Sequence, residues 1–320
     1  MEFIESFKEG QRVIGHYLCK DKQMMTARTG KNYLKLVLED KTGSITAMVW
    51  ELGPQIGPFD KGEIIKIDGT TSIYQGAMQL SVTRLRRSEA HEYAVDDYYR
   101  TSRESSQVLY ERLLGYMQQI RDMGLRHLVE SFYVDDQALI ERLLRHPAAK
   151  SVHHNYIGGL LEHTVSVTGL ALYMAGQYQP ANPDLIIAGA LLHDIGKLRE
   201  IKPLPLNEYS DEGQLLGHIA IGYMMVHERG VQIPDLSPQL LMQLEHMILA
   251  HHGELEFGSP KVPSTIDAMI LYLADLSDSK LKQVEDAIDT DHGEGHWTAY
   301  HRILGRTFYK PDGESHEAAE

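Results

Sequence analysis

Seven residues at five places in the second half of this sequence could hold metal ions: His163, His193-Asp194, His218, His251-His252 and Asp275. Imidazole nitrogens and carboxylate oxygens are good ligands for Zn, Mn, Fe or Mg-type cations. Each of the seven stands among apolar neighbours. His193-Asp194, for instance, closes the run Leu185-Ile186-Ile187-Ala188-Gly189-Ala190-Leu191-Leu192, and Gly196-Lys197 follows. Such a run predicts a buried helix too short to span a membrane. Polar groups at its end need partners, because unpaired buried polar groups are costly. A lone histidine in this setting is more often an ordinary core residue. A whole set of them, on segments that must pack together, points to a metal centre.

The elements that must position these residues read as helices. Val108, Leu109, Leu113, Leu114, Met117 and Ile120 give a helical face ending at Gly124, and Leu139, Ile140, Leu143 and Leu144 give another, stopped by His146-Pro147. Gly158-Gly159 breaks the chain before the periodic stretch Leu160 to Tyr173, and helices are expected from there to about Tyr309. The last ten residues, 311–320, are acidic and expected to be disordered.

The first part of the chain reads differently. Val13–Lys20, Tyr33–Leu38, Ser44–Trp50, Glu63–Gly69 and Met78–Thr83 are short β-rich runs. Hairpin turns fall at Glu39–Gly43 and Tyr74–Ala77, and Gly53–Pro58 forms an irregular insert. Five short strands in this order predict a Greek-key barrel of the OB type. The expected organisation is therefore a multidomain α and β protein. An OB-type barrel occupies residues 1–88, a tyrosine-rich linker 89–104, an all-α metal domain 105–310 and a tail 311–320.

Charge divides the chain in the same place. Residues 1–103 carry 15 Lys+Arg against 14 Asp+Glu, and the remainder carries 16 against 31, for a net charge of −14. The acidic part is a poor phosphate binder by itself, but bound divalent cations invert the local sign. At 42% hydrophobic and 24% charged residues the chain is expected to be soluble and globular. The single cysteine, Cys19, fits a reducing cytoplasm, and neither a secretion signal nor a membrane-length apolar stretch is visible.

Asp40-Lys41-Thr42-Gly43-Ser44-Ile45 with Trp50, then Tyr74-Gln75-Gly76, resembles nucleic-acid-binding OB domains. Such barrels stack bases on exposed aromatics beside a basic groove. The candidates for nucleic-acid contact are Tyr33, Trp50 and Tyr74, with Arg28, Lys31, Lys35 and Arg84; the competing reading of each aromatic is barrel core. The pattern His…His-Asp…His…His-His…Asp resembles the HD-domain phosphohydrolases that hold two metals. That resemblance implies a first ion on His163, His193, Asp194 and Asp275. It implies a second, bridged by Asp194, on His218, His251 and His252. Lys197 would contact a phosphate oxygen. His153, His154 and Asn155 precede the first ligand and are candidates to line the substrate cleft, the competing reading being a capping role. His246 is a spare imidazole outside the pattern.

An OB domain before such an HD domain is the order found in YhaM-type 3′-to-5′ exoribonucleases, and Gly158–Thr164 and His296-Trp297-Thr298 extend the likeness. The resemblance implies release of nucleoside monophosphates from single-stranded RNA, with single-stranded DNA a further candidate substrate. It implies two divalent ions, manganese favoured over Fe, Co, Mg or Zn, and is compatible with a homo-oligomer. Two cations about 3.5–4 Å apart activate a shared water for in-line attack at phosphorus, so no Ser, Thr or Cys nucleophile is required. Two rivals are a small-nucleotide phosphohydrolase and a DNA-binding accessory protein that works through its barrel. The Gly-Tyr-Pro signature of cyclic-dinucleotide HD enzymes is absent after His252, where Gly253–Pro260 stands instead.

Overall fold

The computed structural model describes residues 2–27, 29–99, 102, 104–148, 156–202, 208–291, 293 and 295–311. Arg28, His153, His154 and Asn155, together with residues 312–320 of the expected tail, lie outside the described residues. Chain contacts define two compact units, Met1–Thr101 and Ser102–Lys202 with Glu208–Glu320.

The first unit is a closed five-stranded barrel of β1 (Arg12–Thr26), β2 (Asn32–Asp40), β3 (Gly43–Val49), β4 (Ile64–Tyr74) and β5 (Ala77–Arg87), in the order β1-β2-β3-β5-β4. All neighbours are antiparallel except β3 and β5. Alternation along the strands fills the interior: Leu34, Leu36 and Leu38 of β2 meet Ile45, Ala47 and Val49 of β3 and Ile65, Ile67 and Leu80 beyond them. Local chemistry sets the turns. Asp40 Oδ1 accepts from the Thr42 amide at 2.8 Å and the Gly43 amide at 3.2 Å, folding the chain between β2 and β3. Gln75 and Gly76 both have positive φ, as the tight hairpin joining β4 to β5 requires. Strand β1 runs six residues past its expected end at Lys20, through a register shift between Cys19 and Asp21. Residues expected as a linker pack on the barrel: Tyr98 is buried against Leu18 and Ile64 and donates its hydroxyl to the His16 carbonyl.

The second unit is built from α1 (Ser106–Met117), α2 (Met123–Tyr133), α3 (Gln137–Leu143), α4 (Gly159–Ala175), α5 (Pro183–Leu192), α6 (Lys197–Glu200), α7 (Asp211–Gly230), α8 (Pro238–Ala250) and α9 (Ile266–Asp289). Helix α5 is the centre. Leu185 through Leu192 are all buried, which is why no polar side chain occurs among them, and α5 packs on α4, α8, α9 and α2. Side-chain caps start the helices: Asn182 before α5, Ser210 before α7, Ser237 before α8 and Thr265 before α9.

Two expectations are corrected. Gly124 does not end a helix but sits in the first turn of α2, where an added Cβ would lie 2.5 Å from the Leu236 Cα. Helix also stops at Asp289. Beyond it Trp297 pairs with Tyr309 and His301 with Arg306 in a short antiparallel hairpin. Trp297, Tyr300, Leu304 and Phe308 carry helix-like spacing, but Gly305 at positive φ and the β-preferring residues turn the chain instead. Among the described residues no helix is long and apolar enough to cross a membrane.

Candidate active site

The seven metal-type residues come from five helices or their ends. His163 lies in α4, His193 and Asp194 directly follow α5, His218 is on α7, His251 and His252 follow α8, and Asp275 is on α9. The structure brings all seven together around Asp194. One of its oxygens, Oδ2, is 3.4 Å from both His163 Nε2 and His193 Nε2. The other, Oδ1, is 3.5 Å from His218 Nε2 and 3.7 Å from His251 Nε2. Asp275 Oδ1 is 3.2 Å from His163 Nε2. Two sets of donor atoms result, His163/His193/Asp275 and His218/His251/His252, the atoms of each lying within 4.8 Å of one another.

The outer nitrogens fix which way the rings can act. His193, His251 and His252 each donate Nδ1–H to a backbone carbonyl, of Ala190, Ile248 and Phe257 at 2.8, 2.7 and 3.1 Å. A carbonyl can only accept, so a neutral ring presents an Nε2 lone pair to the centre. His163 and His218 direct Nδ1 to carboxylates, Asp278 Oδ2 at 2.7 Å and Glu200 Oε1 at 3.1 Å. Five Nε2 atoms therefore converge with the Asp194 and Asp275 oxygens. Burial, the largest effect, lowers the pKa of His251 and His252 and keeps them neutral, as ligands must be.

This donor set fits a cation better than it fits a protein core. Asp194 Oδ1, His218 Nε2 and His251 Nε2 are buried without a hydrogen-bond partner. Leaving each so would cost about 1–3 kcal/mol. Two donors held about 2.1 Å from one ion lie about 3–3.5 Å apart, close to the spacings around Asp194. The charge balance points the same way. Burial opposes ionisation of Asp194, but Lys197 and the surrounding imidazoles outweigh it and hold the carboxyl well below the usual range. Burial likewise opposes charge on His163, yet hydrogen bonds to Asp194, Asp275 and Asp278 hold its pKa well above the ordinary value. The pocket favours positive charge.

Backbone detail aims the ligands. Gly217 interrupts α7 at φ 73°, ψ 156°, a conformation nearly confined to glycine. The kink turns the His218 amide onto Glu200 Oε1 at 2.9 Å, beside the bond from its ring. At Gly196 a Cβ would lie 2.0 Å from the His218 carbonyl, so only glycine lets the turn carrying Asp194 approach α7. Lys197, expected to meet phosphate, has Nζ 2.6 Å from Asp194 Oδ2 with its side chain 14% exposed. His246 lies apart and accepts the Ser264 amide. Sequence reading missed Asp278 and Glu200. The available signal was spacing: each carboxylate falls three residues after a nominated one, Asp275 or Lys197, and so on the same helix face.

On the barrel, the Tyr33 and Trp50 rings lie 4.9 Å apart between centroids, tilted by 36°, at the start of β2 and the end of β3, and Trp50 is 50% exposed. Tyr74 is exposed at the β4–β5 hairpin, and Lys31 and Lys35 are exposed at the start of β2 and on it. None of the three aromatics belongs to the barrel core. Strands 2 and 3 with the β1–β2 and β4–β5 loops form the surface on which OB folds bind oligonucleotides. Arg84 stands on β5 opposite Asp68, which Arg12 pairs at 2.8 Å.

Residues 160–279 match the HD domain family, and residues 20–87 match the family described as OB-fold nucleic acid binding domain. The 3′-5′ exoribonuclease YhaM of Geobacillus sp. (strain WCH70) is 31% identical over 312 residues, covering 96% of this chain and 94% of that protein. The protein of the same name from Halalkalibacterium halodurans is 31% identical over 310 residues, covering 96% and 95%. Among solved structures, the second OB-fold domain of replication protein A from Methanococcus maripaludis is 19% identical. It covers 28% of this chain and 94% of its own with a TM-score of 0.23, too slight a likeness to argue from. With the full-length matches spanning both the barrel and the histidine-lined centre, the chain belongs to the YhaM family of 3′-5′ exoribonucleases.

Proposed function

We propose that this chain is a metal-dependent 3′-to-5′ exoribonuclease that releases nucleoside monophosphates from single-stranded RNA with two divalent ions, manganese the favoured one. The convergence of four Nε2 atoms on the two oxygens of Asp194, with His252 grouped beside His218 and His251, carries the reading. His163, His193, Asp194 and Asp275 would hold one ion, and Asp194, His218, His251 and His252 the other. Bound there, the ions would supply Lewis-acid activation of water and charge neutralisation at phosphorus.

The chain's own residues do the rest. Asp194 directs one oxygen to each donor set and so fixes their separation. The backbone carbonyls and the carboxylates of Asp278 and Glu200 hold the rings in the tautomer that leaves Nε2 free for a ligand. Lys197 carries its charge at the partly open rim of the pocket, where it can turn from Asp194 to a phosphoryl oxygen and stabilise negative charge there. In this reading residues 1–88 hold the strand, with Tyr33, Trp50 and Tyr74 stacking on bases and Lys31, Lys35 and Arg28 near phosphates. Residues 105–310 hydrolyse its end.

Asp194→Ala tests the metal centre. It removes the one group shared by both donor sets, so bound metal measured by plasma mass spectrometry should fall from two ions per chain to nearly none, and RNA degradation with it. Near-wild-type degradation by this variant in excess Mn²⁺ would sink the two-metal reading.

A further inference from the structure

The hairpin that replaces the expected last helix has a composition unlike the unit it belongs to. Residues 104–320 carry almost two acidic residues for each basic one, yet Gly295 to Pro311 contains Arg302, Arg306 and Lys310 with no Asp or Glu. It also carries the second of the chain's two tryptophans and two tyrosines. Trp297, Tyr300 and Tyr309 are 61%, 64% and 52% exposed. The backbone is tied down: Thr298 N–H donates to the Phe308 carbonyl at 2.9 Å, and His301 N–H to Arg306 at 2.9 Å. Asp291, just past α9, accepts the Ala299 amide at 2.6 Å and the Lys310 ammonium at 2.8 Å. Tyr309 lies nearly parallel to His296, at 5.8 Å between centroids and 16° between planes, with Trp297 edge-on to it at 5.6 Å. The aromatics are thus exposed but held on an ordered frame.

Lys310 is neutralised by Asp291, which leaves Arg302 and Arg306 as the working charges. Both are exposed and make no ion pair among the described residues. Solvent-facing aromatic rings on the same hairpin as guanidinium groups without an ion pair are what a single strand uses: rings for bases, cations for phosphates. We infer that the hairpin His296–Lys310 is a second contact for single-stranded RNA, with Trp297 and Tyr309 stacking on bases and Arg302 and Arg306 on the backbone. This rests on the exoribonuclease reading above. Asp289, the end of α9, is fourteen residues from Asp275, about 21 Å along the helix axis. The hairpin would therefore touch nucleotides several places from the scissile bond, and its effect must depend on substrate length.

The experiment uses the full chain loaded with Mn²⁺ and compares poly(A) with the dinucleotide ApA, which is too short to reach the hairpin. Trp297→Ala and the pair Arg302→Glu/Arg306→Glu should each raise KM for poly(A) about tenfold or more with kcat little changed, and leave ApA hydrolysis unaltered. Trp297→Phe should restore most of the loss. In a Trp50→Phe background, the remaining Trp297 fluorescence should be quenched when poly(A) is added. Unchanged KM for poly(A) in both the alanine and the charge-reversal variants overturns the proposal. So does a change confined to sedimentation, which would make the hairpin an interface between copies. If the wild-type chain leaves both substrates intact, the exoribonuclease reading itself fails; if it cleaves both and the variants match it, only the hairpin assignment fails.

Discussion

Replacing Asp278 with asparagine should loosen the metal site without unfolding the protein. Asp278 Oδ2 accepts the His163 Nδ1 proton at 2.7 Å, and its other oxygen accepts the Ser166 hydroxyl. The amide keeps the size and one acceptor but removes the charge. A hydrogen bond to a charged group contributes about 1.5–3 kcal/mol against about 0.5–1.5 for a neutral one, so about 1 kcal/mol or more of ring orientation is lost. His163 also becomes a less basic ligand. Partners in this position typically contribute 10–100-fold in metal affinity or activity, and the low exposure of Asp278, 8%, leaves little water to compensate. The assay is hydrolysis of a small phosphodiester against Mn²⁺ concentration. Half-saturating metal should rise by about 10–100-fold, with rate largely recovered at saturation and with the thermal midpoint little moved. A wild-type metal dependence would refute the claim that Asp278 orients a ligand.

Gly217→Ala forces a Cβ into φ 73°, ψ 156° and should cost about 1–3 kcal/mol. The expected signature is a lowered thermal midpoint together with loss of metal at the His218 set, and a variant with unchanged metal content would show that the kink does not aim His218. On the barrel, Tyr33→Ala with Trp50→Ala removes a half-buried tyrosine and the exposed tryptophan in contact with it, so KM for long RNA should rise while a small diester is cleaved as before. Equal losses on both substrates would indicate damage to the fold.

Much of the site was legible because its residues violate the composition around them. His193-Asp194 ends eight buried apolar residues, and a polar pair there is conspicuous in one dimension. The turns at Asp40–Gly43 and Gln75-Gly76 were equally open, since their residue types answer to local backbone needs. Asp278 and Glu200 were not. A carboxylate on a helix looks like a solvated charge until its partner is known, and His163 is 115 residues from Asp278. The hairpin at His296–Lys310 was misread for the opposite reason: its aromatic spacing imitates a helix face, and only Gly305 and the cross-strand bonds decide against it. In the barrel, the pairing across β4 and β5 that sets Arg84 against Asp68 is invisible in the order of residues.

An end-directed reaction at one buried centre is what the proposed function requires. The acidic helical unit offers few cations to an internal stretch of backbone, and an OB groove admits one strand. The decisive measurement is a time course on 5′-labelled single-stranded RNA with Mn²⁺, run beside a circular form of the same sequence. The account predicts a ladder shortening by single nucleotides from the 3′ end, with mononucleotide as the other product and the circle untouched. Early discrete internal fragments, or cleavage of the circle, would contradict it.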